Sequence, residues 1–313
     1  YTGNGNDDPG QSITLDGSED MQPDMVWFKI RSEADYHALY DAVRGATKRI
    51  HSDLNSAEGT LSDGLTSFNS DGFTVGDDNG VNKNTATYVA WCWKESADAG
   101  FDIIAYTGTG SNMDVSHNLS AVPDFFMIKQ RTDDQAWRVY HKNMTTADPY
   151  SNRLVLSETT AQTTSALGLD ADPTSSVINI GTGTGCTNDS GEDYICYAFA
   201  EKQGFSKFGS YTGNGNADGA FVFCGFRPAF IMVKGSNESA QEWAIFDNKR
   251  DPINKITQRI QPSSNAAESG GQDIDFLSNG FKLRVNGAFI NGSYNYIYMA
   301  FAEAPFVNSN GVP

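Results

Sequence analysis

The sequence predicts an all-β protein of three tandem homologous antiparallel β-sandwich domains, jelly-roll or lectin-like in outline. A hexapeptide recurs at a fixed spacing, short apolar runs alternate with turn clusters, and long helical stripes are nearly absent. The 31 glycines also suit a fold in which short strands are joined by tight turns.

The repeat is clearest in the hexapeptide Tyr-Thr-Gly-Asn-Gly-Asn that begins the chain. It returns unchanged at residues 211–216 and altered at residues 106–111, so its tyrosines lie 105 residues apart each time. Two further landmarks follow in the same order in every copy. They are an apolar run led by Pro23, Pro123 and Pro228, and an aromatic closing run that begins at Tyr88, Tyr194 and Tyr296.

These landmarks place the units at residues 1–99, 100–204 and 205–313. A period near 105 residues is far longer than a solenoid repeat or a propeller blade and matches the usual size of a domain. We therefore expect each unit to enclose its own core.

Each landmark also predicts an element. Residues 101–106 and 205–211 predict an opening strand, the proline-led runs a buried strand, and residues 72–75 and 280–285 a strand before the closing one. Only residues 33–44 fit a helix, although their equivalents in the other units fit strands. Unit one starts at the tyrosine that should end its opening strand, so we expect this strand to come from an upstream part of a longer polypeptide or from another chain.

The composition argues against two kinds of partner, nucleic acid and membrane. The formal charge of −17 and the pI near 4.5 argue against a nucleic-acid partner, and no run of about 18 apolar residues predicts membrane insertion. The four cysteines do not recur as a set, which predicts buried free thiols in a protein assembled in a reducing cytosol, at Cys92, Cys186, Cys196 and Cys224.

No catalytic, cofactor-binding or metal-ligand signature emerges. The histidines lack metal-ligand spacing, and Asp24 and Asp124 are replaced by Ala229 in unit three, which disfavours a repeated active site. The glycines of the hexapeptide predict a tight turn rather than a phosphate cradle. Acidic loops at residues 77–79, 170–172 and 188–193 offer the oxygen ligands that calcium takes, with solvated turns as the alternative.

Aromatic residues are the functional-looking surplus, with five Trp, 13 Tyr and 19 Phe. Exposed aromatic rings can stack on sugars while nearby amides bind the hydroxyls. Trp137 and Trp243 are the candidate glycan-contact residues, and burial in the core is the alternative for both.

Several of these strings together resemble a known family. Residues 1–5, 22–29, 39–48, 72–73 and 88–94 resemble an uncharacterised repeated domain of phage virion structural proteins, found in tail-fibre-like and capsid-appendage proteins of marine and cyanobacterial phages. The resemblance is strongest in unit one and weakest in unit three. It implies a location on the virion, after assembly in the host cytoplasm, and brings no catalytic residues.

We therefore expect a non-enzymatic virion protein, a tail fibre or surface appendage, that contributes to attachment to host-surface glycan. Its expected partners are other virion proteins and further copies of itself, for example in a trimer. The alternatives are a capsid decoration or head-fibre protein with a purely architectural role, and a polysaccharide-degrading tail enzyme that works with two carboxylates.

Overall fold

The computed structural model describes residues 1–17, 19–144, 149–164, 168–182 and 187–304. It is almost entirely β, in several antiparallel sheets, which confirms the all-β prediction. The described part of the chain contains no helix long and apolar enough to cross a membrane.

Unit one pairs two three-stranded sheets, in the orders β3-β2-β8 and β1-β7-β6. A short ladder, β4-β5, lies beside them. The elements are β1 (Gln11–Ile13), β2 (Met25–Ile30), β3 (Ala38–Asp41), β4 (Lys48–Arg49), β5 (Gly59–Thr60), β6 (Leu65–Asn69), β7 (Gly72–Val75), α1 (Asn79–Asn82) and β8 (Tyr88–Trp93).

Unit two repeats this plan with a fourth strand. Its sheets have the orders β12-β11-β14-β9 and β10-β13, and a 3-10 turn spans Pro149–Ser151. The strands are β9 (Phe101–Thr107), β10 (Met113–Ser116), β11 (Phe125–Gln130), β12 (Arg138–His141), β13 (Val177–Ile180) and β14 (Asp193–Phe199).

Unit three has a four-stranded and a three-stranded sheet, in the orders β15-β21-β17-β18 and β16-β20-β19. Its elements are β15 (Ser206–Thr212), β16 (Phe221–Phe223), β17 (Pro228–Gly235), β18 (Trp243–Asp247), β19 (Ile274–Leu277), β20 (Gly280–Leu283), α2 (Ala288–Asn291) and β21 (Asn295–Ala302). The proline-led and closing strands pair in all three units, as the landmarks predict.

The expectation that each unit encloses its own core is only half right. Side chains alternate between the two faces of a strand. In β2, Val26 and Phe28 pack inside the sandwich of unit one, whereas Met25 and Trp27 pack into a common core that residues of all three units build. In each unit, the sheet that contains the proline-led strand therefore has one face in its own sandwich and the other in this common core. The division into three separate domains stays a prediction.

The helix considered for residues 33–44 does not form. Ala38–Asp41 is β3, which pairs with β2 from Met25↔Asp41 to Phe28↔Ala38. Tertiary pairing decides here against a local pattern that also fits a helix, and the equivalents β12 and β18 pair in the same way.

The hexapeptide forms a turn with the same anchor in each unit. A buried asparagine accepts a backbone N–H of the turn at its Oδ1, at 2.8 Å for Asn82, 2.7 Å for Asn188 and 3.1 Å for Asn291. The second glycine of the turn has a positive φ of 66°, 72° and 63°, respectively, at Gly5, Gly110 and Gly215. The turn therefore depends on glycine for its backbone conformation, as the sequence predicts.

Candidate functional site

The two candidate glycan-contact residues lie in the common core. Trp137 is 0% exposed and Trp243 is 1% exposed. Trp137 Nε1 donates to the carbonyl of His51 in unit one at 2.7 Å, and Trp243 Nε1 donates to the carbonyl of Val155 in unit two at 3.0 Å. Both indoles therefore join one unit to the preceding one.

His37 completes this set in unit one. It occupies the position equivalent to Trp137 and Trp243, and its Nε2 lies 3.0 Å from the carbonyl of Gln261 in unit three. Its Nδ1 accepts from the indole N–H of Trp27, so Nε2 is the nitrogen that carries the proton. The three ring donors thus close a cycle that runs from unit one to two, from two to three, and from three back to one.

Burial removes Trp137 and Trp243 from any surface on which a sugar could stack. Among the described residues, the large aromatic side chains that are clearly exposed are Tyr36 at 44%, Phe221 at 46% and Phe223 at 62%. A glycan contact through the two tryptophans is therefore not supported by their positions.

The first interface, between units one and two, contains a buried ionic network. Arg44 Nε donates to Asp41 Oδ2 at 2.5 Å, and both side chains are fully buried. Arg44 Nη1 also reaches Glu58 at 3.2 Å, and Arg131 of unit two pairs with Glu58 at 2.9 Å. The hydroxyl of Tyr197 in unit two donates to Asp41 at 2.6 Å, so every charged member has a partner.

The third interface, between units three and one, repeats this network. Arg250 Nε donates to Asp247 Oδ2 at 2.6 Å, and Arg250 Nη1 pairs with Glu268 at 2.7 Å. Glu268 pairs in turn with Arg31 of unit one at 2.8 Å. The indole of Trp91 donates to Asp247 at 3.0 Å, in the place that Tyr197 takes at the first interface.

The second interface, between units two and three, is neutral at these positions. His141 and Met144 stand where the other networks have the aspartate and its arginine. Gln162 and Ser236 stand where they have the glutamate and the arginine of the neighbouring unit. His141 Nε2 donates to the carbonyl of Tyr298 at 3.1 Å, because its Nδ1 accepts a backbone N–H. The backbone N–H of Gln162 donates to the carbonyl of Ser236 at 2.8 Å, as its two equivalents do. Each interface therefore has either all the charged residues of the ionic network or none of them.

Three lysines at equivalent positions are fully buried, namely Lys29, Lys129 and Lys234. Burial lowers the pKa of Lys29 and of Lys234 to about 8. Lys29 and Lys129 donate to the carbonyl of the following residue at 2.8 and 2.6 Å, and Lys234 donates to Thr159 of unit two at 3.1 Å. A lysine of lowered pKa acts as a nucleophile only where a substrate reaches it. These enclosed amines instead hold backbone carbonyls.

Some polar side chains of the predicted calcium loops bond to other groups of the chain. Asp78 pairs with Arg49 at 3.3 Å, and Asn188 anchors the turn of unit two. Asp170 lies beside a cavity of about 160 Å³ that Asp114 also lines. Within the described ranges, no three His, Cys, Asp or Glu side chains come together to hold a metal ion. Loop calcium stays a prediction.

The predicted free thiols are confirmed for three cysteines. Cys196 and Cys224 are buried and Cys92 is partly buried, and none of the three forms a disulfide. Burial raises the pKa of Cys92 and Cys224 to about 12 and also raises the pKa of Cys196, so all three stay protonated near neutral pH. Cys186 lies outside the described residues.

A groove runs along the free edge of β8. Two adjoining cavities of about 340 and 360 Å³ follow this edge, and Leu15, Asp16 and Ala90 line both. Trp93 and Phe230 of unit three line the first cavity. In units two and three, β9 and β15 occupy the equivalent edge.

Sequence reasoning missed the ionic networks and the cyclic arrangement. The signal was available in the Asp-x-x-Arg spacing of Asp41 with Arg44 and Asp247 with Arg250. This spacing alone did not indicate an interface. Only the structure shows that these residues meet side chains of a neighbouring unit.

Comparison with known proteins identifies the family. The family model described as Domain of unknown function (DUF7483) matches residues 1–305, which include units one and two and most of unit three. No curated protein and no solved structure matches the chain. The family description carries no link to virion proteins, so the virion location stays a prediction. The chain belongs to the DUF7483 family.

Proposed function

We propose that the chain is a non-enzymatic structural module of a virion surface, in a tail fibre or appendage, that contributes to attachment to the host. The closed cycle of contacts among the three units carries this proposal. Each unit binds both others, through the ring donors His37, Trp137 and Trp243 and through the common core.

Such a cycle suits a structural module because no unit can move without breaking contacts to two neighbours. Surface features of the three units are then held at fixed separations, which favours multivalent contact with a repetitive surface. The strongest candidates for chemistry, the buried Lys29, Lys129 and Lys234 and the Asp-Arg networks, are engaged in packing instead.

In this proposal the glycan contact is made by exposed aromatic rings rather than by the two tryptophans. Phe221 and Phe223 flank the buried Val222 in β16, so both rings project from the same face of that strand. Because β16 is an edge strand, the pair is open along one side. Two neighbouring rings on an open face suit stacking on a sugar or packing against another virion chain.

The location is tested on purified particles of the virus whose genome encodes the chain. Mass spectrometry of the particles should recover its peptides in stoichiometric amounts, and cryo-electron microscopy should show density that fits the three units. A replication enzyme of the same virus is the matched control, which should be absent. Particles that lack the chain would contradict the proposal.

The attachment role is tested with host envelope polysaccharide. Phe223→Ser should weaken binding of the purified chain, whereas Val122→Ser, at another exposed apolar residue, should not. Undiminished binding of Phe223→Ser would reject these rings as the contact. Release of reducing sugar by the chain would favour the enzyme, and density over the capsid lattice with the rings covered by other chains would favour the decoration protein.

A further inference from the structure

A polar cavity of about 350 Å³ lies beside the ion pair of Arg49 with Asp78 in unit one. Its lining also includes the carboxylate of Asp35 and the rings of Tyr36 and His51. Small-molecule sites are cavities of about 300–1,000 Å³ in which ring surfaces are combined with a few convergent polar groups. The cavity therefore has the size and the lining of a small-molecule site.

In unit three, an aromatic ring of the chain itself fills the equivalent place. Gly80 of α1 and Phe289 of α2 are equivalent, because each lies two residues before the asparagine that anchors the hexapeptide turn, Asn82 or Asn291. The ring of Phe289 lies over the guanidinium of Arg259, with 4.4 Å from its central carbon to the ring centroid. The guanidinium in unit three is therefore covered by a side chain of its own unit.

The guanidinium of unit one lacks such a cover. Arg49 and Arg259 are equivalent, since each precedes the isoleucine that bridges to the neighbouring strand, Ile50 to β3 and Ile260 to β18. A Cβ added at Gly80 would lie 3.7 Å from Nη1 of Arg49, so a side chain at this position would begin beside the guanidinium. Gly80 lines the cavity, which therefore opens where unit three holds a phenyl ring.

The polar groups around this space suit a ligand that carries hydroxyl groups. The carboxylates of Asp35 and Asp78 accept hydrogen bonds, and the guanidinium of Arg49 donates them. Nδ1 of His51 lies 2.6 Å from the carbonyl oxygen of His37, so Nδ1 carries the proton and Nε2 is an acceptor. A hydroxyl group both donates and accepts, and can therefore bond to any of these groups.

The remaining lining favours a ring without a negative charge. Tyr36 is 44% exposed, and its ring meets that of His51 edge to face with 5.8 Å between the centroids. An exposed aromatic ring offers a surface for the apolar face of a sugar. The carboxylates of Asp35 and Asp78 outnumber the one guanidinium, so an acidic sugar would meet like charge.

We propose that this cavity binds one neutral pyranose residue of a glycan. The sugar ring takes the place that the Phe289 ring has in unit three. Its hydroxyl groups bond to Asp35, Asp78 and Arg49, and one of its faces lies against Tyr36. The proposal rests on the glycan contact of the proposed function and adds a site distinct from the aromatic rings of β16.

The test is calorimetric titration of the purified chain with the methyl pyranosides of glucose, galactose, mannose and N-acetylglucosamine. At least one should bind saturably. Gly80→Phe gives unit one the ring of unit three and should abolish this binding, because the side chain of the variant fills the cavity. Gly270→Phe is the matched control, since it places the same ring at an exposed glycine of unit three, and should leave binding unchanged.

Two substitutions at one exposed position test the stacking surface. Tyr36→Ala removes the ring and should weaken binding about tenfold, whereas Tyr36→Phe keeps the ring and should stay within about twofold of the wild type. Thermal unfolding of all variants shows whether the fold is kept. If Gly80→Phe does not fold, the Tyr36 pair decides, and equal binding by its two members would overturn the proposal.

Failure of all four sugars to bind would also overturn it, as would wild-type binding by a folded Gly80→Phe protein. Phenylalanine amide that displaces a bound sugar from the cavity would identify a peptide side chain as the occupant and would reject the pyranose. The presence of the chain in virions and the effect of Phe223→Ser on polysaccharide binding are measured separately. Failure of this site is therefore distinguishable from failure of the proposed function.

Discussion

The first and second interfaces join equivalent units by different means. The first holds Asp41, Arg44 and Glu58 in a buried ionic network. The second has His141 and Met144 at the first two of these positions, and the His141 ring donates to the carbonyl of Tyr298. Both lie beside the same common core and both keep the indole bond. A buried charge is tolerated only with its partners, so an interface that loses one charge is expected to lose the whole network.

The largest effect is expected from breaking one network halfway. Arg44→Met leaves Asp41 buried without its cation, while Glu58 keeps Arg131, and should lower the free energy of unfolding by about 3–5 kcal/mol. Adding Asp41→His, Glu58→Gln and Arg131→Ser gives the four charged positions the residues of the second interface, with Tyr197 unchanged, and should return stability to within about 2 kcal/mol of the wild type.

Urea denaturation of the single and quadruple variants measures this difference. Lys249→Met is the control, since its ion pair with Asp16 is exposed at 67% and 76%, and should change stability by less than about 0.5 kcal/mol. A quadruple variant as unstable as Arg44→Met would show that the two interfaces are not interchangeable.

The indole bonds should contribute equally at both interfaces. Trp137→Phe at the first and Trp243→Phe at the second each leave a carbonyl of the preceding unit unpaired, and each should cost about 2 kcal/mol. Thermal or urea unfolding of the two variants provides the comparison. A selective loss of glycan binding by a fully stable Trp137→Phe protein would contradict the packing role.

In the hexapeptide turns of units two and three, Gly110 and Gly215 donate to the carbonyls of Asn188 and Asn291 of their own units, so we expect these turns to be independent of the interfaces. Gly110→Ala and Gly215→Ala place a side chain at φ of 72° and 63°, where an L residue is disfavoured by about 1–2 kcal/mol. Equal losses in units two and three are expected from urea unfolding. A variant without any loss would mean that the turn relaxes to another conformation.

The smallest expected effect is on the pH dependence of stability, to which His141 at the second interface contributes. Burial lowers the pKa of His141 to about 4, and its Nδ1 accepts the N–H of Asn143, so a second proton has no place there. A depressed folded-state pKa gives stability that is present above the unfolded value near 6.5 and is lost as the pH falls toward 4.

His141→Gln removes this titration from the second interface. Between pH 7 and pH 5.5 the variant should lose less stability than the wild type, by about 1 kcal/mol. His37 titrates in the same direction at the third interface, so the wild type and the variant both still weaken in acid. Identical pH profiles of the two proteins would exclude His141 as a contributor.

Much of the fold could be predicted from the sequence because strand and turn signals are local. The proline-led runs, the closing runs and the glycine turn depend on side-chain alternation and backbone conformation, which a short window contains. The segment at residues 33–44 could not be assigned in this way, since pairing with β2 rather than local preference makes Ala38–Asp41 a strand.

The candidate sites were harder to predict because they depend on distant contacts. Trp137 and Trp243 carry no local sign of which face they present, and their acceptors lie 86 and 88 residues earlier in the chain. The ionic networks likewise join residues of two units, so composition alone could not separate them from solvated surface charge.

The sequence by itself determined that the chain is almost entirely β and that the hexapeptide forms a glycine-dependent turn, because both properties are set by residues close together in the chain. Tertiary structure decided that the units close into a cycle around a common core and that Trp137 and Trp243 are buried. These depend on which faces meet across about a hundred residues of chain, and a face acquires its partner only when the whole molecule folds.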